Sequence, residues 1–388
     1  PQDPHSARRT AGLAWLRGRA GAGAWGGAVP AGPSLRPGAR SDRVVSVRNR
    51  LIALGDLSAA DRTSVLEADQ TEIAANAVVT DLPVHGSVGD PRRYDDAVVA
   101  AVSRFQERHG LNQDGIVGPK TRGALNADAA FRMRQIAVNL ERLRWLNRDL
   151  GQRHVFVNLA AYEMALVEDG RPVFESRVVI GKARRHQTPE FSDEMEYMVV
   201  NPSWHVPASI AREEILPKLQ QDPSYLSRRN MRLVGAGAPA EYIDWWGVTP
   251  STFPGRITQG PGPGNALGKV KFMFPNRWAI YLHDTPHKSL FRRDERAYSH
   301  GCVRVHEPFE FAYHLLAPQS ADPQAKFQRY LRSGRETWVH FDTHIPVHLT
   351  YRTAWVDEDG RDHFRADIYG RDAKVAAALE KAGVDLGL

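Results

Sequence analysis

The sequence predicts an α+β protein of several domains: a small three-helix module, then a mostly β domain that carries a helical and loop insertion. Three observations lead there. A chain of 388 residues suggests two or three domains rather than one. The spacing of apolar residues changes from helical to alternating near residue 153. The alternating stretch is then interrupted over 208–260 by a helical run and a polar segment rich in Gly and Pro.

Residues 1–41 are rich in Gly, Ala, Pro and Arg and read as an extended N-terminal segment, with Trp25 as an anchor within Gly18–Pro37. Residues 42–127 form the helical module. Val44, Val47 and Leu51 share one helical face, and Val98, Ala101, Val102 and Phe105 follow the i, i+3, i+4, i+7 pattern of a second helix. A turn at Asp114-Gly115 and a restart at Pro119, a residue suited to the first helical position, give a short third helix. Residues 128–152 are a connecting segment, mainly helical, with Met133, Ile136, Leu140 and Leu143 as its packing stripe.

The β domain is expected over 153–356. Val155, Val157 and Leu159 alternate, as do Met164 and Leu166, and Asp169-Gly170 is a hairpin signal. Val178–Ile180, Tyr197–Val200, 270–274 and 278–283 are further short strands. Within 208–260, Ala208–Leu219 is helical. Trp245 and Trp246 either anchor this insertion to the core or face a substrate, and the insertion is a candidate lid. Residues 307–317 form a helix with Phe309, Ala312, Tyr313 and Leu316 on one face. A late hairpin pairs 345–356 with 363–369 around Asp359-Gly360. The C-terminal part, 357–388, ends in a helix over 371–383.

Composition excludes several classes of function. The net charge of +6 is compatible with an anionic polymer as partner. Yet the basic residues are spread along the chain, and zinc-finger, aromatic RNA-binding and basic-zipper patterns are absent, which argues against nucleic acid. No run approaches the roughly 18–20 apolar residues of a membrane span. A secretion signal or membrane anchor is therefore expected only in a segment preceding this chain. The single cysteine, Cys302, rules out an internal disulfide and a multi-thiolate metal site. His283 and His287 have the i, i+4 spacing of zinc helices, but Pro286 intervenes and no metal is expected.

The stretch that carries chemistry is YLHDTPHKSLFRRDERAYSHGCVRV, residues 281–305. Fifteen residues lie between His283 and Ser299, and Ser299-His300-Gly301-Cys302 follows at once. This spacing resembles the signature of the L,D-transpeptidase catalytic domain, the YkuD domain. VVIGKARRHQTPEF, YMVVNPSWHVP and GPGNALGKVKF stand in the matching order upstream. LHDTP and the 208–260 insertion resemble the large periplasmic members with a capping subdomain. FQERHGLNQDGIVGPKTRGALN, in the helical module, resembles the peptidoglycan-binding module of cell-wall enzymes, here a glycan-binding unit or a rigid spacer.

Elementary chemistry runs beside the resemblance. A thiol with a pKa near 8.5 is mostly protonated at neutral pH. A nearby imidazole can take that proton and leave a nucleophilic thiolate. Cys302 is thus the expected nucleophile and His283 its base. The oxyanion then formed needs donors, which the backbone amides of His300, Gly301 and Cys302 are placed to supply. Tyr281, two residues before His283, shares its face on a strand and offers a hydroxyl. The resemblance assigns the second imidazole nitrogen to the backbone carbonyl of Asp284. The Asp284 carboxylate is an alternative orienter or a turn cap. Arg304 either pairs with a substrate carboxylate or braces the loop. Ser299 holds the loop or meets substrate, and Trp204 and Trp246 are expected substrate contacts.

The resemblance implies a cofactor-free acyl transfer on peptidoglycan. Cys302 attacks the third residue of a tetrapeptide stem, D-Ala leaves, and a second stem's amine resolves the thioester as a 3→3 cross-link. Carbapenems are the expected covalent inhibitors, and the periplasm or cell envelope the expected location. Other acceptors give the rivals: water (an L,D-carboxypeptidase), a lipoprotein lysine (a tethering enzyme), or an endopeptidase acting on an existing cross-link. A different class is a wall-binding scaffold that does no chemistry.

Overall fold

A computed structural model describes residues 27–58, 90–146, 149–357, 359–384 and 386; Trp25 lies outside them. The described residues fall into two compact units. One comprises 148–351, the other 1–147 together with 352–388.

The first of these is a β domain, as the alternating pattern requires. Its strands are β1 (Arg153–Asn158), β2 (Glu163–Glu168), β3 (Arg171–Gly181), β4 (Phe191–Val200), β5 (Trp204–His205), β6 (Met231–Val234), β7 (Arg256–Gln259), β8 (Val270–Met273), β9 (Leu282–His283), β10 (Ala297–Ser299), β11 (Val303–Val305) and β12 (Thr337–Thr350). The main sheet runs β10-β3-β11-β9-β8-β4-β12-β1-β2, and β2 also pairs with β3, which closes eight strands into a ring. Closure leaves those strands without a free edge. Val155, Val178, Met198, Phe272, Leu282, Val303 and Val347 turn inward and are buried.

β12 is longer than the sequence suggests. Val339, Phe341, Ile345, Val347 and Leu349 point inward along it, and a bulge between His340 and Ile345 preserves that alternation. Residues 345–350 therefore belong to the main sheet. The hairpin around Gly360 keeps only Ala354–Val356 against Asp362–Phe364, and both lie in the other unit. The helix Pro308–Leu316 buries Phe311, Ala312, Leu315 and Leu316. Phe309 and Tyr313, expected on that face, instead meet the Phe327 ring at 5.3 and 5.6 Å. Phe327 sits on a helix, Pro323–Arg332, that the apolar pattern does not reveal.

The insertion has its own small core. Ile215, Leu216, Leu219, Met231, Trp245 and Ile257 pack together beside the three-stranded sheet β5-β7-β6. Its helical run contains a π-helical turn at Ala211–Ile215.

In the other unit, helices Asp42–Leu54, Asp96–Arg108 and Pro119–Leu125 enclose Val44, Val47, Leu51, Val98, Val102, Phe105 and Leu125. Ser41 and Asp95 cap the first two. Val29 and Leu35 join this core, so the extended segment is part of the module from residue 29 onward. The helix Ala129–Trp145 departs from its expected stripe. Met133, Ile136, Leu140 and Leu143 are only half-buried, whereas Arg132, Gln135, Val138, Asn139 and Arg142 are buried. The reason is hydrogen bonding. Gln135 Nε2 donates to the Thr353 and Arg365 carbonyls at 2.9 and 2.8 Å, Asn139 Nδ2 donates to Thr353 Oγ1, and Arg142 pairs with Asp372. Polar side chains with partners are tolerated inside. Among the described residues no helix is long and apolar enough to cross a membrane.

Candidate active site

Strands β9 and β11 lie parallel and adjacent, with Val303 opposite Leu282 and Arg304 opposite His283. Leu282, Val303 and Val305 point into the core, so Tyr281, His283 and Arg304 share the opposite face. This register sets Cys302 beside Tyr281. The thiol donates to the Ala279 carbonyl at 3.7 Å. Burial pushes its pKa up to about 11, while hydrogen bonds from Tyr281 and the charge of Arg304 act in the other direction.

The His283 ring is buried, and its Nδ1–H donates to the Asp284 carbonyl, leaving Nε2 as the basic nitrogen. Burial, then the charge of Arg304, holds its pKa down to about 3, although the Asp284 and Leu267 carbonyls favour protonation. Thiol and imidazole are therefore both neutral at pH 7. No hydrogen bond joins them among the described residues, so the thiolate–imidazolium pair is not the resting state.

The low pKa of His283 has a consequence for stability. The unfolded chain protonates near pH 6.5 and the folded one near 3, so the unfolded state binds more protons between them. The contribution of His283 is complete above about pH 6.5 and is lost as pH falls toward 3. The slope is about 1.4 kcal/mol per pH unit. Thermal unfolding followed from pH 7 to 4 is expected to show a falling midpoint, with a shallower fall in His283→Gln. Equal slopes in the two proteins would contradict the assignment.

The loop before Cys302 is held internally. Ser299, which is buried, donates from Oγ to the Cys302 carbonyl at 2.5 Å and accepts from the Gly301 amide at 3.1 Å. The Ser299 hydroxyl thus braces the loop through both of these hydrogen bonds. The Gly301 amide, expected as an oxyanion donor, is already used. The amides of His300 and Cys302 have no acceptor among the described residues. Gly301 has φ +118°, a conformation that other residues rarely adopt.

Thr188, which the sequence does not single out, braces the loop before Cys302. Its hydroxyl is buried, donates to the Gly301 carbonyl at 2.7 Å and accepts from the Gly181 amide at 3.0 Å. It ties the end of β3 to the Cys302 loop. Thr188→Val is expected to lower stability by about 1–3 kcal/mol, because two buried groups lose a partner, and to reduce turnover through the loop. Unfolding midpoints and kcat check both.

Asp284 acts through its backbone on His283 and uses its carboxylate elsewhere. Oδ2 accepts from the Lys269 amide at 2.8 Å. Oδ1 accepts from the Thr285 amide at 2.7 Å and from Lys288 Nζ at 2.6 Å. The carboxylate therefore fixes the segment around His283 rather than orienting the ring.

The insertion reaches the motif at one point. Glu214, on the π-helical turn, lies 2.6 Å from His300 Nε2 and 3.9 Å from Lys182 Nζ. The His186 ring packs on His300 with centroids 4.6 Å apart. The insertion's tryptophans divide. Trp245 is 2% exposed, with Nε1–H donating to the Ala240 carbonyl, and fills the insertion's own core instead of anchoring it to the β domain; Trp246 is 80% exposed. Trp204, expected to face substrate, packs against the insertion's core. Arg304 is half-buried and its Nε has no partner. Among the described residues, no group of three or more His, Cys, Asp and Glu is arranged to hold a metal ion.

Residues 152–326 match the family described as "YkuD: L,D-transpeptidase catalytic domain", and residues 85–125 match "Putative peptidoglycan binding domain". A Haemophilus influenzae protein (strain ATCC 51907 / DSM 11121 / KW20 / Rd) named "Putative L,D-transpeptidase" is 36% identical over 247 residues, which are 63% of this chain and 49% of that protein. The chain thus spans about half the length of this relative. Similar solved structures include an L,D-transpeptidase from Xylanimonas cellulosilytica DSM 15894. It is 16% identical, covers 83% of this chain and 99% of that one, and has a TM-score of 0.24. Another, from Stackebrandtia nassauensis, is 13% identical, covers 74% and 89%, and has a TM-score of 0.26.

Proposed function

Because the chain carries a YkuD L,D-transpeptidase catalytic domain behind a module of the peptidoglycan-binding family, we propose that it forms 3→3 cross-links between peptidoglycan stems through a thioester on Cys302. The observation that carries this reading is the register of β9 and β11. It places Cys302, Tyr281, His283 and Arg304 together on one face of the sheet.

In this reading the donor is a tetrapeptide stem. On binding, the Cys302 thiol turns from the Ala279 carbonyl toward Nε2 of His283 and gives up its proton there. Sulfur attacks the carbonyl of the third residue. The oxyanion is met by the His300 and Cys302 amides and the Tyr281 hydroxyl. The C–N bond breaks, the proton passes from His283 to the leaving D-Ala amine, and the thioester remains. The amine of a second stem then attacks, giving its proton to His283 and finally to sulfur. Neutral resting groups suit this course, because the ion pair forms only when substrate is present to use it.

The same thiol is expected to be acylated by carbapenems. The substrate places the protein in the periplasm or cell envelope. The helical module would hold the domain against glycan.

Incubation of a purified disaccharide-tetrapeptide with the protein, followed by mass spectrometry of the products, tests the reading. A dimer lacking one D-Ala supports cross-linking. Tripeptide alone would make the protein an L,D-carboxypeptidase. Attachment of stems to a lipoprotein lysine would make it a tethering enzyme. No product, with intact binding to cell walls, would leave a scaffold.

A further inference from the structure

Lys271 has no part in the mechanism above, yet it stands in line with it. On β8 it lies directly opposite His283 on β9, and His283 lies opposite Arg304 on β11. Directly opposed residues point to the same face of a sheet. One line across the strands therefore carries Arg304, His283 and Lys271, and it continues to Val199 on β4 and Trp338 on β12. Val199 is buried. The Lys271 ammonium lies between two rings, 6.0 Å from the centroid of Tyr281 and 6.0 Å from that of Trp338. Trp338 is 54% exposed, and Tyr197 stacks on it at 5.0 Å.

This ammonium has no acidic partner. The acid whose charge it feels is Glu336. That carboxylate already accepts from the Ser203 amide at 2.5 Å and from Trp338 Nε1 at 3.2 Å. Among the described residues no carboxylate stands within 4 Å of Lys271 Nζ. A half-buried cation without an acceptor is costly to maintain, and an anion arriving with a ligand removes that cost.

We propose that Lys271 receives the carboxylate that sits next to the reacting amine: that of the leaving amino acid in the first half of the reaction, and that of the acceptor in the second. This rests on the acyl-transfer reading above. Arg304, His283 and Lys271 follow one another across β11, β9 and β8, strands about 4.8 Å apart, and Cys302 immediately precedes β11 beside Tyr281. In the first half the C–S bond forms, the C–N bond breaks, and the thiol proton reaches the leaving nitrogen through His283. In an α-amino acid the carboxyl carbon is about 2.5 Å from that nitrogen. An amine at His283 therefore sends its carboxylate toward one of the two flanking cations. Arg304 is two residues from Cys302 and its charge acts on the thiol, so the acyl group at sulfur is assigned to the Arg304 side and Lys271 is left for the amine side. In the second half the C–N bond forms, the C–S bond breaks, and the proton returns to sulfur along the same path. The acceptor is then an amine with a carboxylate on the same carbon. A protein lysine, whose ε-amine has no such neighbour, fits this subsite poorly.

The test uses the full chain, a tetrapeptide donor, and two competing acceptors, D-methionine and D-methioninamide. The two differ only in the carboxylate. Exchange products are followed by mass spectrometry, with kcat and KM for each acceptor. The wild type is expected to favour the acid. Lys271→Met, which keeps the stem, is expected to lower the acid-to-amide ratio of kcat/KM by about 10- to 100-fold, mainly through KM for the acid. Lys271→Arg is expected to keep most of the preference, and unfolding midpoints show whether both variants fold. A ratio unchanged in a folded Lys271→Met overturns the subsite. So does a wild type that forms the thioester but shows no preference for the acid, and in that case the acyl-transfer reading stands. A wild type that forms no thioester removes that reading, and the subsite with it.

Discussion

Cys302→Ala is expected to fold normally and to lose tetrapeptide turnover by about 10⁴-fold or more, because no other residue of the chain offers a thiol. The fold should be indifferent to the change. Cys302 donates one long hydrogen bond, to the Ala279 carbonyl at 3.7 Å, and accepts from Tyr281; sulfur is weak both as donor and as acceptor, so their loss costs little. Turnover with an unchanged unfolding midpoint is therefore a clean readout. Full activity in the variant would remove the chemistry proposed for this site. Cys302→Ser is expected to be nearly as inactive, since a hydroxyl beside a neutral imidazole is a far weaker nucleophile.

The second large effect is expected from Gly268→Ala. Gly268 has φ +65°, where a β-carbon alone costs roughly 1–2 kcal/mol. A β-carbon there would also stand 2.3 Å from Asp284 Oδ2 and 2.4 Å from its carboxyl carbon. Asp284 has to move, and its carbonyl is what holds the His283 ring. A misplacement of about 1 Å in a reacting group can cost about 10²-fold in rate. Gly268→Ala is thus expected to lose about 2–4 kcal/mol of stability and about 10²-fold in kcat. Gly264→Ala, four residues earlier and with no atom within 4 Å of the added carbon, is expected to change neither. Equal behaviour of the two variants would contradict the role assigned to Asp284.

Much of this site is legible in the sequence because it is local. Tyr281, His283, Asp284, Ser299 and Cys302 lie within 22 residues, and a parallel pairing of two very short strands brings them together. The motif therefore nearly spells the geometry. Thr188, Glu214 and Lys271 were not legible. The contacts of Thr188 and Glu214 run to Gly301 and His300 across 113 and 86 residues of chain, and Lys271 meets His283 only through the pairing of β8 with β9. A threonine, a glutamate on an amphipathic run and a strand lysine also look like any others. The donors were only partly legible: the backbone amides could be named, but that Ser299 Oγ engages the Gly301 amide depends on the loop's turn.

The fold divides in the same way. Alternation predicted the β domain, and helical spacing predicted the three-helix module. The long helix Ala129–Trp145 misled because an apolar stripe is read as the buried one. Here Gln135, Asn139 and Arg142 are drawn inward by backbone carbonyls, a hydroxyl and a carboxylate supplied from 353–372. Those partners are more than 200 residues away, and no local pattern announces them. The C-terminal strand was split too early for a related reason. Thr337–Thr350 crosses an irregularity between His340 and Ile345 where Thr343 is exposed in place of an inward apolar residue, so the apolar pattern lapses although the alternation continues.

The central claim is that Cys302 forms a thioester with the third residue of a stem. Trapping it is the most direct measurement: incubate the protein with the tetrapeptide donor, quench in acid within seconds, and map the adduct by mass spectrometry of the digested chain. The expected result is the donor less D-Ala on the peptide that contains Cys302, reversed by hydroxylamine and absent from Cys302→Ala. D-Ala release with no adduct on Cys302, or with an adduct on another residue, would contradict it.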